Sequence, residues 1–366
     1  MNKEQAEALL AKYLDGKCSE EEKALLESWY LTYEKKNLPA LNDNYRRQQL
    51  DKIRKSLPVS GHKLGRISIV TLLKAAAVLL AATAALYYYL PSHHMGQSST
   101  KFAQDIRPGS NQAILTLTDG HKIHLDSTQN GIIIHAQQIK YTNGNAVPGV
   151  SLPGADSLLS LTTPKGGQYQ VILNDGTKVW LNAASTLRYP ARFTSGKRRV
   201  EINGEAFFNV AQDQSSPFVV VAGDQQVQVL GTSFNVNNYD NENQARTTLV
   251  DGSIRVGLSA AQHFQWLHPG QQARIQGQHI QIDAVDLDEA TAWVKGYFKF
   301  AGEDIFSIMK QLGRWYNIEI VYQGQISDHF SGRVSRYKNI SQVLTMLEET
   351  GAVHFTIQGR RIIVEP

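Results

Sequence analysis

The chain of 366 residues has a single cysteine, Cys18. That excludes an intrachain disulfide framework and any multi-cysteine zinc or iron–sulfur site. Charge of one sign is also in short supply. The 37 basic and 33 acidic residues leave a net charge of +4, too little to make nucleic acid the main ligand. Signatures of nucleotide binding and hydrolysis are missing: there is no G-x-G-x-x-G, Walker loop, G-x-S-x-G or H-E-x-x-H. Histidines are scattered. His121 and His124 flank a strand, where positions three apart face opposite sides and make a poor metal pair. Asp283, Asp286, Asp288 and Glu289 lack the spacing and glycine of a calcium loop and read as a solvated linker. Glu205 beside Gly204 is a candidate catalytic carboxylate, but no second carboxylate shares its motif. These residues predict neither an enzyme nor a bound cofactor.

The mean hydropathy of −0.31 suggests a soluble protein of two or three domains, but that average hides an uneven chain. Ile67 to Leu90 is an apolar run with one charge, Lys74, and no glycine or proline. At about 1.5 Å per residue a helix of this length crosses the ~30 Å hydrocarbon core with some tilt. Lys74 lies near the first end, where its stem can snorkel. Tyr87, Tyr88 and Tyr89 mark the opposite interface. Lys52, Arg54, Lys55, Lys63 and Arg66 precede the run, and only Lys101 and Arg107 follow closely. The positive-inside bias therefore predicts a single pass with residues 1–66 in the cytoplasm and 91–366 beyond the membrane.

Residues 1–66 read as a small α-helical domain. Leu9, Leu10, Tyr13 and Leu14 share one face of a first helix, and Gly16 is a natural stop. Ser19 with Glu22 has capping-box spacing and opens a second helix carrying Leu25, Leu26, Trp29, Tyr30 and Tyr33. A third, basic helix runs from Asn42 to Leu57. A domain of about 60 residues in three short helices is near the lower limit for independent stability. Leu9, Leu10, Tyr13, Leu25, Leu26 and Trp29 are therefore candidates for a mutual core or for a face that a partner completes. The basic helix is alternatively a juxtamembrane anchor for anionic lipid.

After a linker over 91–109 the period changes from 3.6 to 2. Leu115 to Leu125 alternates on either side of Asp119-Gly120. The pattern recurs from Val171 to Leu181, around Asp175-Gly176. Asp-Gly or Asn-Gly between alternating runs predicts hairpins, here also at Asn203-Gly204 and Asp251-Gly252. Further strands are expected at Phe218–Ala222, Gln225–Leu230, Phe234–Tyr239 and Gln271–Ile275. Residues 110–285 thus predict an all-β domain, a sandwich, barrel or stacked-hairpin solenoid. Residues 293–366 predict an α+β domain in the order β-α-β-β-α-β-β, with both helices on one sheet face. Its first helix, Glu303–Trp315, is expected to turn Ile305, Phe306, Met309 and Leu312 inward.

The segment Leu173-Asn-Asp-Gly-Thr-Lys-Val-Trp-Leu-Asn-Ala-Ala-Ser-Thr-Leu-Arg-Tyr-Pro190 resembles the signature region of FecR-type transmembrane anti-sigma factors, in the form common in Bacteroidetes. The resemblance continues through Val200-Glu-Ile-Asn-Gly-Glu-Ala-Phe-Phe-Asn-Val210, Val229-Leu-Gly-Thr-Ser-Phe-Asn-Val236 and Leu249-Val-Asp-Gly-Ser-Ile-Arg-Val256. Trp293-Val-Lys-Gly-Tyr-Phe298 and Leu312-Gly-Arg-Trp-Tyr316 resemble the family's C-terminal domain, which is similar to the short signalling modules of secretins and TonB-dependent receptors. Tyr13-Leu-Asp-Gly16 and Glu20-Glu21-Glu22 with Trp29 resemble its cytoplasmic helices. The resemblance implies an inner-membrane regulator whose cytoplasmic helices bind an extracytoplasmic-function sigma factor. It further implies that the periplasmic part receives a signal from a TonB-dependent outer-membrane transporter, controlling iron or glycan uptake genes, and that an intramembrane protease is a further partner. Direct nucleic-acid binding is not implied. The competing reading is a cell-envelope scaffold that binds glycan or protein, with Trp180 and Tyr189 as glycan-contact candidates; as motif-strand residues, both are expected in the core.

Overall fold

The computed structural model describes residues 105–366 apart from 136–137, 151–153, 155–156, 195 and 260–263. The expected cytoplasmic helices, with Leu9, Leu10, Tyr13, Leu25, Leu26 and Trp29, lie outside the described residues. So does the expected span Ile67–Leu90 with Lys74. Among the described residues no helix is long and apolar enough to cross a membrane. The described residues all belong to one compact unit, Met95–Pro366.

Short alternating strands dominate the first part. In chain order they are β1 (Ser110–Asn111), β2 (Ile114–Thr116), β3 (Lys122–His124), β4 (Gly131–His135), β5 (Gln138–Tyr141) and β6 (Leu158–Thr163). Next come β7 (Gly167–Ile172), β8 (Lys178–Leu181), β9 (Ser185–Pro190), β10 (Arg198–Asn209), β11 (Phe218–Ala222) and β12 (Gln225–Val229). The series closes with β13 (Ser233–Asn238), β14 (Ala245–Asp251), β15 (Ile254–Leu258), β16 (Phe264–Leu267), β17 (Gln271–Gln276) and β18 (His279–Ala284).

They form two sheets, with β1 running parallel to the start of β7. One has the order β3-β2-β6-β9-β10-β11-β12-β15-β16. The other has the order β5-β4-β7-β8-β10-β13-β14-β17-β18. The chain visits the sheets alternately, largely in pairs of strands, so hairpins stack side by side within each sheet. A single apolar core, including Leu115, Leu161, Val171, Leu181, Phe208, Phe218, Phe234 and Val256, draws on the inner faces of both. The architecture combines the two-sheet core of a sandwich with the strand-by-strand progression of a stacked-hairpin solenoid.

β10 belongs to both sheets. Its first half pairs with β9 and β11, and its second half, from Gly204, pairs with β8 and β13. This corrects the hairpin expected at Asn203-Gly204. Gly204, at φ +100°, bends one continuous strand from sheet to sheet, and a Cβ there would lie 2.4 Å from Ser185 Oγ. Asp251-Gly252 is not a hairpin turn either, because β14 and β15 lie in different sheets. There the positive φ of Gly252 carries the chain across, beside the carbonyl of Gly231. In both places positive φ is needed, but for a crossing. The Asp119-Gly120 and Asp175-Gly176 hairpins form as expected, β2 with β3 and β7 with β8. The two copies of the repeat fall in opposite sheets.

A short helix α1 (Leu287–Ala290) leads to the C-terminal module: β19 (Tyr297–Asp304), α2 (Ile305–Tyr316), β20 (Glu319–Tyr322), β21 (His329–Ser335), α3 (Ile340–Glu348), β22 (His354–Gln358) and β23 (Arg361–Glu365). The order is the expected β-α-β-β-α-β-β. The single sheet is not found: β19 pairs with β21, and β20-β23-β22 form a separate sheet. Asp304 ends the first strand and caps α2, accepting from Ser307 N–H. Ile305, Met309 and Leu312 are fully buried. Phe306 instead faces outward, 42% exposed, with its ring centroid 4.6 Å from that of Tyr322. At 3.6 residues per turn it lies about 100° round the helix from Ile305, on the side away from the buried Ile308, Leu312 and Trp315.

The bend of β10 yields a test. Gly204→Ala adds a Cβ in left-handed backbone against Ser185 and should lower stability by about 2–4 kcal/mol. Gly270→Ala, at φ +86° in open space, should cost only about 1 kcal/mol. Thermal unfolding followed by tryptophan fluorescence compares them; equal losses would show that Gly204 is not a packing pivot.

Candidate functional site

Strand alternation places polar residues on the outward face of the second sheet: Asn182 just after β8, Glu205 on β10, Asn235 and Asn237 on β13, Arg246 and Thr248 on β14, and Gln272 and Arg274 on β17. A pattern of this kind ordinarily faces water. Here the C-terminal module covers it, which is why Glu205, Asn235, Thr248 and Gln272 are buried.

Arg336, just beyond β21, is 1% exposed and sits at the centre of this junction. Its guanidinium donates to the Trp293 carbonyl at 2.9 Å and to Asn182 Oδ1 at 2.7 Å. It lies 3.9 Å from the Trp315 ring centroid, so a cation–π contact supplements the polar ones. Asn182 Nδ2 donates to Glu205 Oε2 at 2.7 Å, and Asn235 Nδ2 donates to Glu205 Oε1 at 3.0 Å. Trp293 Nε1–H donates to Asn235 Oδ1 at 3.0 Å. The bonds close a ring, in which Arg336 and Glu205 are opposite charges bridged by two amides. Both amide orientations are fixed, since each must accept on one side and donate to a carboxylate on the other. Burial pushes the Arg336 guanidinium down to about 10, and the negative charge of Glu205 works against that shift.

A second set of contacts lies beside the ring. Arg314 of α2 pairs with Glu242 at 3.0 Å, their side chains only 9% and 8% exposed. The Arg314 guanidinium also lies 3.9 Å from the Tyr239 ring centroid. Lys310 and Arg246 also approach Glu242, at 3.6 and 3.9 Å. Tyr239 donates its hydroxyl proton to the Ala183 carbonyl at 2.7 Å, and burial pushes that hydroxyl well above the usual tyrosine range. Between sandwich and module remains a cavity of about 160 Å³ with a mixed charged and aromatic lining that includes Arg246, Glu289, Trp293, Glu303 and Arg314. Burial pushes the Glu303 carboxyl up to about 7, with Glu289 adding repulsion, although Gln311 Nε2 donates to both its oxygens.

The arrangement fastens the C-terminal module to the sandwich. Glu205 is the carboxylate singled out in the sequence, and the structure commits both its oxygens to asparagine amides. Among the described residues no group of three or more His, Cys, Asp or Glu is placed to hold a metal ion. Asp286 and Asp288 pair with Lys299 and Lys295, and Asp286 also caps α1. Tyr189 is core at 1% exposure, as expected. Trp180 is not core: it lies partly exposed on the outward face, with its ring centroid 5.8 Å from that of Phe207. It sits in the alternate register to Val179 and Leu181, whose side chains take the inner face. Arg336, Asn182 and Asn235 do not stand out as functional in the sequence. The signal that could have found one of them is the asparagine inside the strand-like run Phe234-Asn235-Val236, where a turn residue has no turn to make; Asn182 opens the turn from β8 to β9 and gives no such signal.

The comparisons concern this same region. Residues 160–255 match the family described as FecR protein, and residues 297–364 match the family described as FecR, C-terminal. Two crystal structures of a candidate anti-sigma factor from Parabacteroides distasonis, at 1.65 and 2.50 Å resolution, are similar to the chain, each at 32% identity. The first covers 56% of this chain and 97% of its own, with a TM-score of 0.52. The second covers 57% and 98%, with a TM-score of 0.53. No curated protein matches the chain.

Two outcomes test the junction. Glu205→Ala leaves the Arg336 charge without its counter-charge and should cost about 3–5 kcal/mol, part of which Glu205→Ala with Arg336→Met should recover; additive losses in chemical unfolding would show that the two are not coupled. Glu303 binds its proton more tightly when folded. Its contribution is complete below its ordinary value of 4.5 and is lost as pH rises through about 7. Stability should therefore fall by on the order of 2–3 kcal/mol across that window, and Glu303→Gln should flatten the slope. Identical pH profiles of the melting temperature would refute it.

Proposed function

The chain belongs to the FecR family as a FecR-type anti-sigma factor, and from that premise we propose that it is a single-pass inner-membrane regulator. In this reading residues 1–66 hold an extracytoplasmic-function sigma factor in the cytoplasm. Residues 67–90 span the membrane, and 110–285 with 293–366 form the periplasmic receiver, joined to the span by the linker 91–109. The signal comes from the signalling domain of a TonB-dependent transporter, and the output is control of nutrient-uptake genes.

The observation that carries the reading is the pair of FecR matches on a chain that also holds the apolar run Ile67 to Leu90, with basic residues before it. The physical chemistry is consistent with it. A helical domain of about 60 residues is marginal alone and gains stability when a partner covers its apolar face. A single membrane helix is a poor conductor of a conformational signal, so intramembrane proteolysis that frees the cytoplasmic fragment is a workable output step. Leu9, Leu10, Tyr13, Leu25, Leu26 and Trp29 are the proposed sigma-facing or core side chains. The receiver described above acts by docking, and no catalytic step is assigned to it.

The test is co-purification of the full chain with the sigma factor of its own organism, alongside a reporter for that factor's promoters. Binding is expected, and Leu25→Asp with Trp29→Ala should abolish it while leaving the melting transition of residues 105–366 in place. Absence of both binding and any effect on the reporter would discard the sigma-regulator reading.

A further inference from the structure

The segment entering the folded part is held by the far end of the chain. The residue at the N-cap of α3, Asn339, makes no side-chain capping bond of its own. Asp105, from the opposite end of the described chain, takes that role. Its Oδ1 accepts from the Ser341 backbone N–H at 3.1 Å, and its Oδ2 accepts from Ser341 Oγ at 2.8 Å and from Asn339 Nδ2 at 2.9 Å. Burial pushes the Asp105 carboxyl up, but these hydrogen bonds outweigh it and hold the group below its ordinary value.

The residues that follow are fastened to the same module. Ile106 is 6% exposed in the module's apolar core, and its carbonyl accepts from the Ile340 N–H at 3.0 Å. Gly109 passes so close that a Cβ would lie 2.6 Å from the Gly166 carbonyl oxygen and 2.8 Å from the Trp315 ring. Ser110 N–H then donates to the Gly166 carbonyl at 2.9 Å, while Gly166 N–H donates to the Arg314 carbonyl at 2.8 Å. The chain therefore threads past α3 and α2 before it enters the sandwich at β1.

We propose that residues 105–109 are a strap latched by the C-terminal module, so that a partner displacing α3 is registered as release of the chain on the membrane side of the sandwich. The assignment of that side rests on the proposed membrane topology; the latch itself does not. Each fastening is weak alone, one helix cap and one buried isoleucine. Because the Asp105 carboxylate and the Ile106 carbonyl both hold the first turn of α3, those two are lost together. Such a segment opens locally, well below the cost of global unfolding.

Hydrogen exchange on the full chain in detergent tests the latch, read at the amides of Ile340 and Ser341 on the module, of Ile106 on the strap and of Ser110 directly after it. Asp105→Ala should speed exchange at both sets roughly five- to tenfold, the factor that about 1–1.4 kcal/mol represents. Ser341→Ala should speed exchange at Ile106 and Ser110 although it changes no strap residue. The double variant should exceed neither single variant by much, as expected for one shared interaction. Amides of β11 and β12 serve as the folding control. If Asp105→Ala disturbs them, Asp105→Asn, which keeps one acceptor, replaces it and should give a smaller but still paired effect. Strap amides unmoved by Ser341→Ala would overturn the proposal. Absence of sigma-factor binding by the unmodified chain, with these exchange shifts seen in the variants, would instead count against the sigma-regulator reading and leave the latch standing.

Discussion

A buried guanidinium dictates the arrangement of the junction. Arg336 is removed from water almost completely, and an unpaired charge in such a place costs several kcal/mol. The structure offsets this with a carboxylate that does not touch it. Glu205 is reached through Asn182 on one side and through Asn235 and Trp293 on the other. The two charges thus depend on side chains contributed by β10 and β13, by the residue after β8, and by the segments before β19 and after β21. Glu205 can occupy its place only because Gly204 carries β10 across from one sheet to the other directly before it. The bend that links the sheets also sets the carboxylate.

Much of the fold follows from local pattern. Alternating runs such as Val171 to Leu181 and the helical spacing of Ile340, Val343, Leu344 and Leu347 lead directly to the elements observed. The meaning of glycine is harder to read. Asn203-Gly204 and Asp251-Gly252 demand positive φ, and a hairpin is the commonest reason for it. A strand crossing between sheets makes the same demand, and only pairing partners distant in sequence distinguish the two. The C-terminal module departs from expectation for a similar reason. Its element order is readable, but the division into two sheets depends on β20 pairing in parallel with β23, across the whole of β21, α3 and β22.

The junction is illegible for a different reason. Asn235, Asn237, Arg246, Thr248, Gln272 and Arg274 alternate with apolar residues as a solvated face should. Nothing in the period says that a second module covers that face. Glu205 stands out as unusual, but its partner Arg336 lies in a run, Arg333-Val-Ser-Arg336, that reads as an ordinary exposed strand end. Binary patterning reports which residues face the core of their own sheet. It does not report what lies on the other side.

That polar character bears on how the described part can respond to a partner. Two modules joined through a large apolar face separate only at the full cost of exposing it, about 25 cal/mol for each Å². A junction of amides and ion pairs behaves differently, since water can take over each hydrogen bond as the surfaces part. Its stability then resides chiefly in geometry: the Arg336–Glu205 ring, the pairing of Arg314 with Glu242, and the cap of Asp105 on α3 must all be in register. A contact elsewhere on the module that shifts α2 or α3 slightly disturbs all three together, because Arg314 lies on α2, Arg336 lies just before α3, and Ser341 lies in its first turn. Packed elements of this kind favour discrete arrangements over gradual deformation. A receiver of signals gains from that property, because modest binding energy at its surface then selects between a docked and a loosened state instead of being absorbed as strain.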